Sequence, residues 1–229
     1  MGTAASYERD GTVGIIRIDD GKANVMSVPT MSAISAALDQ AEADGVVVVI
    51  QGREGLFSAG FDLGVFKQGP APAGEMLRAG GALVARILSF PAPVIAACTG
   101  HAIAMGSFLL LSSDLRIGAS GAFRIGMNEV AIGLAVPYFA LEVARQRVPV
   151  SALSRAALLA EMVGPEEAVG MGFLDRVVPS DQVVPTALEV ARAFSELDMS
   201  AHRETKARLR GAAAEAVRKA TADEFGALA

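Results

Sequence analysis

Apolar and polar residues along the chain group into runs of two periods, one suited to strands and one to helices. Thr12 to Asp19 (T-V-G-I-I-R-I-D) reads as a strand, and Asp20-Gly21 as the turn that ends it. Between Pro29 and Ala43 the positions Met31, Ile34, Leu38 and Ala41 fall on one face, which predicts an amphipathic helix with proline in its first turn. Val46 to Ile50 is continuously β-branched, as in a strand buried on both faces. The stretch G-L-F-S-A-G-F-D-L, residues 55 to 63, reads as a glycine-bracketed loop. Gln68 to Gly74 (Q-G-P-A-P-A-G) reads as flexible, with a helix following to about Phe90. Pro93 to Cys98 predicts a second buried strand closed by Thr99-Gly100, and a helix opens near Met105 and runs through Leu111. Asp114 to Ala119 is a further short strand, followed by a glycine-rich stretch and Phe123 to Ile125. Beyond Pro137 the pattern is helical, with one strand at Phe173 to Val178 and helices after Pro179 and Ala201. Strands alternating with helices predict an α/β fold with a largely parallel sheet, and the recurrence of strand, turn and helix hints at stacked turns of one unit.

Composition narrows the functional classes. The 229 residues suit one domain with at most a helical appendage, and a hydrophobic fraction of 52% supplies an ample core. Aromatics are 5% and tryptophan is absent, so small aliphatic residues and nine methionines fill the interior. A net charge of −5 argues against a nucleic-acid binder, and the basic residues from Arg203 to Arg210 alternate with Glu204 and apolar positions, as on a solvated helix face. Cys98 is the single cysteine, so no disulfide framework is expected; with only His101 and His202, neither is a metal site. No signal peptide stands at the N-terminus, the opening M-G-T-A-A-S fits a myristoylation pattern only loosely, and no apolar run reaches the ~18 residues of a membrane span. A cytoplasmic globular protein is the expectation.

Two junctions carry the candidate chemistry. In T-G-H-A-I-A-M-G-S-F-L-L, residues 99 to 110, a buried strand passes through a turn into a helix N-terminus, where N–H groups lack internal partners and the helix dipole is positive. Gly60-Phe61 repeats the arrangement after the Val46–Ile50 strand. If the two strands are neighbours, the N–H groups of Phe61 and Met105 can converge on the oxygen of an enolate or a tetrahedral intermediate. One such donor is typically worth ~3–4 kcal/mol of transition-state stabilisation. Taken singly, each junction is an ordinary strand-to-helix turn.

Three segments, F-S-A-G-F-D-L, then P-V-I-A-A-C-T-G-H-A-I-A-M-G-S-F-L-L-L-S-S-D, then I-G-M-N-E-V-A-I-G-L, resemble in order and spacing the signatures of the enoyl-CoA hydratase/isomerase (crotonase) family. The similarity extends over residues 6 to 210. It implies a spiral of ββα turns, with residues 1–180 as the core and residues 181–229 as a C-terminal helical region that forms a lid or a trimer contact. It also implies an acyl-CoA thioester substrate, no cofactor beyond the coenzyme A of that substrate, and a homotrimer or hexamer. By the same resemblance Phe61 and Met105 supply the two oxyanion donors. The family usually has Gly where Met105 stands, so the methionine side chain must point away. Ala59, Gly60, Asp62, Leu63 and Gly64 would lie along the adenine and pantetheine, with Lys22 and Ala23 in a second CoA loop. Gly106 and Phe108 also fall at the substrate. Gly64 replaces the lysine of many relatives, and the next lysine is Lys67.

Hydratases of this family use two glutamates. The matching positions here are Phe108 and Glu129, so one acid is missing, as in the Δ3-Δ2-enoyl-CoA isomerase branch. One carboxylate in an apolar pocket suits the removal of a proton from C2 and its return at C4. Without the flanking motif, Glu129 reads as a surface acid beside Asn128. Asp62 reads first as a helix cap, Asp114 and Glu161 as structural, and His101 as a packed loop residue with a lesser claim to function. Phe61, Phe66, Phe108, Leu109 and Tyr138 could line an acyl-tail pocket, with plain packing as the default use of each. A Clp-type serine peptidase has similar strand-turn-helix geometry, but Ala104 holds the place of its nucleophile. The serious rivals are another crotonase reaction, hydration above all, and a non-catalytic acyl-CoA binder.

Overall fold

The computed structural model describes residues 4–226, so the first three residues of the myristoylation-like pattern lie outside the described residues. The chain begins with β1 (Ala5–Asp10), β2 (Val13–Ile18), β3 (Val25–Met26), α1 (Val28–Asp44), β4 (Val47–Gln51), β5 (Gly55–Ser58) and β6 (Gly60–Phe61). It continues through α2 (Leu63–Phe66), α3 (Pro70–Leu88), β7 (Val94–Cys98), β8 (Gly100–Ile103), α4 (Met105–Ser112), β9 (Leu115–Ala119) and β10 (Ile125–Gly126). The last part comprises α5 (Tyr138–Ala144), α6 (Val150–Leu153), α7 (Pro165–Gly170), β11 (Arg176–Val178), α8 (Val183–Phe194) and α9 (Met199–Phe225).

The β-branched runs stack side by side. A six-stranded sheet has the order β1-β2-β4-β7-β9-β11, parallel throughout except for the β1–β2 hairpin. Alternate residues of its strands face opposite layers. Val48 and Ile50 join the cluster under α1, α3 and α4, while Val47 and Val49 pack with Ile95, Ile117 and the α8 residues Val183, Ala187 and Ala191. Burial on both faces is why the Val46–Ile50 run shows no polar alternation.

A smaller parallel sheet, β10-β8-β5, collects the second strand of successive turns, and β3 pairs with β6. Each turn thus places one strand in the large sheet and one in a small sheet before a helix returns. This is the spiral of ββα units that the family resemblance implied, followed by a C-terminal helix that packs on α3 and α5. The helix α1 buries Met31, Ile34, Leu38 and Ala41 as its periodicity requires, and is capped by Ser27, whose hydroxyl accepts from the Thr30 N–H.

Four expectations need correction. β1 was not foreseen, because it is an edge strand whose S-Y-E-R-D residues face largely outward and leave no apolar pattern. Residues 55 to 63 are two short strands and the cap of α2, not a loop. Thr99-Gly100 does not close a strand and lead straight to a helix, since Gly100 opens β8. The stretch from Gln68 to Gly74 is helical from Pro70, where proline at the first helical position gives up an N–H that would have no partner anyway.

The long helix α9 is fastened to the sheet by charge. Lys206 is buried, and its ammonium lies 2.6 Å from an Asp114 carboxylate oxygen and donates to the Ala92 carbonyl. Arg210 lies 3.4 Å from the same carboxylate and donates to the Ser112 carbonyl at the end of α4. Among the described residues, no helix is long and apolar enough to cross a membrane.

Candidate active site

The two candidate junctions do meet. β4 and β7 are adjacent parallel strands, and each leads into a strand of the small sheet, β5 or β8, which also pair. Gly60 approaches the end of β8 so closely that a β-carbon on it would stand 2.8 Å from both the Ala104 Cβ and the Ile103 carbonyl oxygen. Its φ of +93° is a second reason for glycine there. Phe61 follows on β6, and Met105 is the first residue of α4. Met105 is fully buried, with its sulfur against Gly80 of α3, and the Phe61 ring packs on the same glycine.

The third segment arrives through β10, which pairs with β8 and is tied to the start of α4 by the Ala104 N–H bonding the Gly126 carbonyl at 2.9 Å. Three residues further on stands Glu129. It is 4% exposed, and both carboxylate oxygens are buried without a hydrogen-bond partner. Burial disfavours the charged form and pushes its pKa up to about 7.

Glu129 opens onto a cavity of about 120 Å³. Ala59, Phe61, Leu63, Phe66, Leu77 and Ala104 line it on the side of the strand-helix junctions, and Asn128, Ile132, Leu134, Ala135 and Pro137 complete it. Glu129 is the one carboxylic acid in that lining. Of the residues singled out in the sequence, Ala59, Phe61, Leu63, Phe66 and Glu129 therefore reach the cavity. Phe108 does not: it is wholly buried behind Phe61, with ring centroids 6.5 Å apart, and meets Phe139 at 6.0 Å. Its place as a substrate contact is corrected to that of a backing residue.

The remaining residues lie around the junctions. Lys22 is exposed and Ala23 half-buried in a turn that docks on the first junction, where the Ala59 N–H donates to the Ala23 carbonyl at 3.1 Å and the Arg53 guanidinium to the Lys22 carbonyl. Asp62 caps α2, its carboxylate accepting from the N–H of the exposed Gly64 at 2.8 Å. Gly106 is pressed against Ser58, where a β-carbon would be 2.9 Å from the Ser58 carbonyl oxygen. His101 is packed edge-on against Phe123 and accepts from the Arg124 N–H, while Glu161 pairs with Arg155.

Two supporting residues went unread. Asn24 is fully buried at φ +48°, and its amide donates to the carbonyls of Ile18 and Phe57. The Ser58 hydroxyl donates to the Asn24 carbonyl and accepts from the Gly60 N–H. The turn sequence D-G-K-A-N held a signal for the first, since asparagine tolerates left-handed backbone. Asp20 shapes the same turn. Burial raises its pKa, but N–H groups of Asn24, Lys22 and Val25 outweigh that and hold it below the usual carboxylate value.

Comparison with known proteins gives consistent results. The family model for enoyl-CoA hydratase/isomerase matches residues 8–227. Rat mitochondrial enoyl-CoA delta isomerase 1 is 29% identical over 216 residues, covering 91% of this chain and 74% of the relative. A probable enoyl-CoA hydratase of Bacillus subtilis is 31% identical over 202 residues, covering 84% of this chain and 76% of the relative. Among solved structures, an apo enoyl-CoA isomerase of Mycobacterium tuberculosis superposes with a TM-score of 0.93 at 43% identity, covering 98% of this chain and 100% of that one.

Proposed function

Since the chain belongs to the enoyl-CoA hydratase/isomerase family, we propose that it is an enzyme that moves the double bond of a 3-enoyl-CoA to the 2-position, with Glu129 as its single proton carrier. The observation that carries this reading is the lone carboxyl of the cavity lining, buried and unpartnered; the resemblance to the family adds that Phe108 takes the sequence position of the second acid. Activating water for hydration calls on two carboxylates; an allylic shift needs one.

In this mechanism Glu129 removes a proton from C2, and the electron pair passes into the thioester as an enolate. The oxyanion is held by the main-chain N–H groups of Phe61 and Met105. The Met105 side chain turns toward α3, where its sulfur stands against Gly80. Glu129 then delivers the same proton to C4, and the double bond closes between C2 and C3. A pKa of about 7 keeps the group able to take and to release a proton near neutrality. The turn at Lys22 and Ala23 and the segment from Ala59 to Gly64 form the coenzyme A path in this proposal. Assembly as a trimer or hexamer and a cytoplasmic location belong to it too.

The test assays purified protein against 3-enoyl-CoA and 2-enoyl-CoA in parallel, and follows exchange of C2 protons in heavy water. Double-bond migration should outrun hydration. Glu129→Gln should lower it by about 10²- to 10⁴-fold, the usual contribution of a general base, and abolish exchange. Faster hydration would favour the hydratase reading, and no exchange by either protein would favour a non-catalytic binder.

A further inference from the structure

The cavity beside Glu129 has an aromatic wall on one side. Phe61 and Phe66 meet edge to face with ring centroids 6.5 Å apart, and both line the cavity together with Leu77 of α3. Behind Phe61 stands Phe108, and behind that Phe139, both fully buried. On its other side the Phe61 ring is so close to α3 that a β-carbon on Gly80 would lie 3.0 Å from two ring atoms. A ring packed into a close-filled interior on two sides cannot swing away without opening voids.

The cavity is small for its proposed task. Its volume of about 120 Å³ is well under the ~300–1,000 Å³ of drug-sized ligand sites. Apart from Asn128 and Glu129 its lining side chains are apolar, so what it accepts is hydrocarbon.

We propose that the wall of Phe61, Phe66 and Leu77 restricts the protein to short-chain acyl-CoA thioesters. The inference rests on the reading that this cavity takes the acyl group of a CoA thioester, but not on which reaction follows. Phe66 and Leu77 are the residues that set the limit most accessibly, because each is only half-buried at the margin of the core.

The test is calorimetric titration with butyryl-, hexanoyl-, octanoyl- and decanoyl-CoA. Every methylene that fits should tighten binding about four-fold, which corresponds to ~0.8 kcal/mol per buried methylene. For the wild type the gain should stop before decanoyl-CoA, whereas Phe66→Ala and Leu77→Ala should each carry it to a longer chain. A steady gain to decanoyl-CoA in the wild type would overturn the proposal, as would a break at the same length in all three proteins. A break that shifts in the variants, alongside no C2 exchange in heavy water, would support the chain-length limit while removing the isomerase reading.

Discussion

Glu129 links catalysis to stability. Burial raises its pKa from 4.5 to about 7, so between these values the folded chain binds a proton that the unfolded chain has released. Stability therefore falls as pH rises through that window, and above it the protein bears the whole cost of an ionised, unpartnered carboxylate. A shift of this size corresponds to roughly 3 kcal/mol. Glu129→Gln should accordingly be more stable than the wild type at pH 8 by up to about that amount, with the difference shrinking toward pH 5. Urea unfolding at the two pH values measures it, and a difference independent of pH would contradict the account. The neighbouring motif identified this residue in the sequence. Its isolation could not be read there, because the lining that excludes water comes from residues 59 to 77 and 132 to 137 as well as its own segment.

At the scale of elements, the close approach of β6 to the end of β8 is the critical joint. Gly60 combines a positive φ with two contacts of 2.8 Å that any β-carbon would have to relieve. Gly60→Ala should cost about 2–4 kcal/mol, the sum of left-handed backbone and overpacking, and should lower activity by separating the two junctions. A thermal or denaturant midpoint unchanged within error would show that the joint is loose. The same region marks where local reading failed. β5, β6 and β8 are two to four residues long and are held by their neighbours in the small sheets, so they carry no period of their own. The long elements α1, β4 and β7 were legible because each has enough residues to show which faces are buried.

For the whole molecule, α9 matters as a strap across the core, and Asp114 is its anchor. That carboxylate accepts from Lys206 and from the Val94 N–H and lies near Arg210. Asp114→Ala leaves a buried ammonium without its counter-charge and should destabilise the protein by about 3–5 kcal/mol. Glu204→Ala, which breaks the exposed pair with Arg208 on the same helix, should cost no more than about 0.5 kcal/mol. Equal effects in chemical denaturation would show that α9 is held by its apolar face alone. Read by itself, the sequence determined the alternation of strands and helices, the order of the three signature segments, and the presence of one acid with a phenylalanine in place of the other. The first is a property of residue type and spacing, which neighbours in the chain suffice to express; the other two are what the resemblance to the family implies. Only the tertiary structure decided that Glu129 is shielded and unpaired, that the Met105 side chain turns to α3, and that aromatic rings bound a cavity of about 120 Å³. Each of these depends on surfaces brought together from distant parts of the chain, where burial and packing, not local pattern, set the outcome.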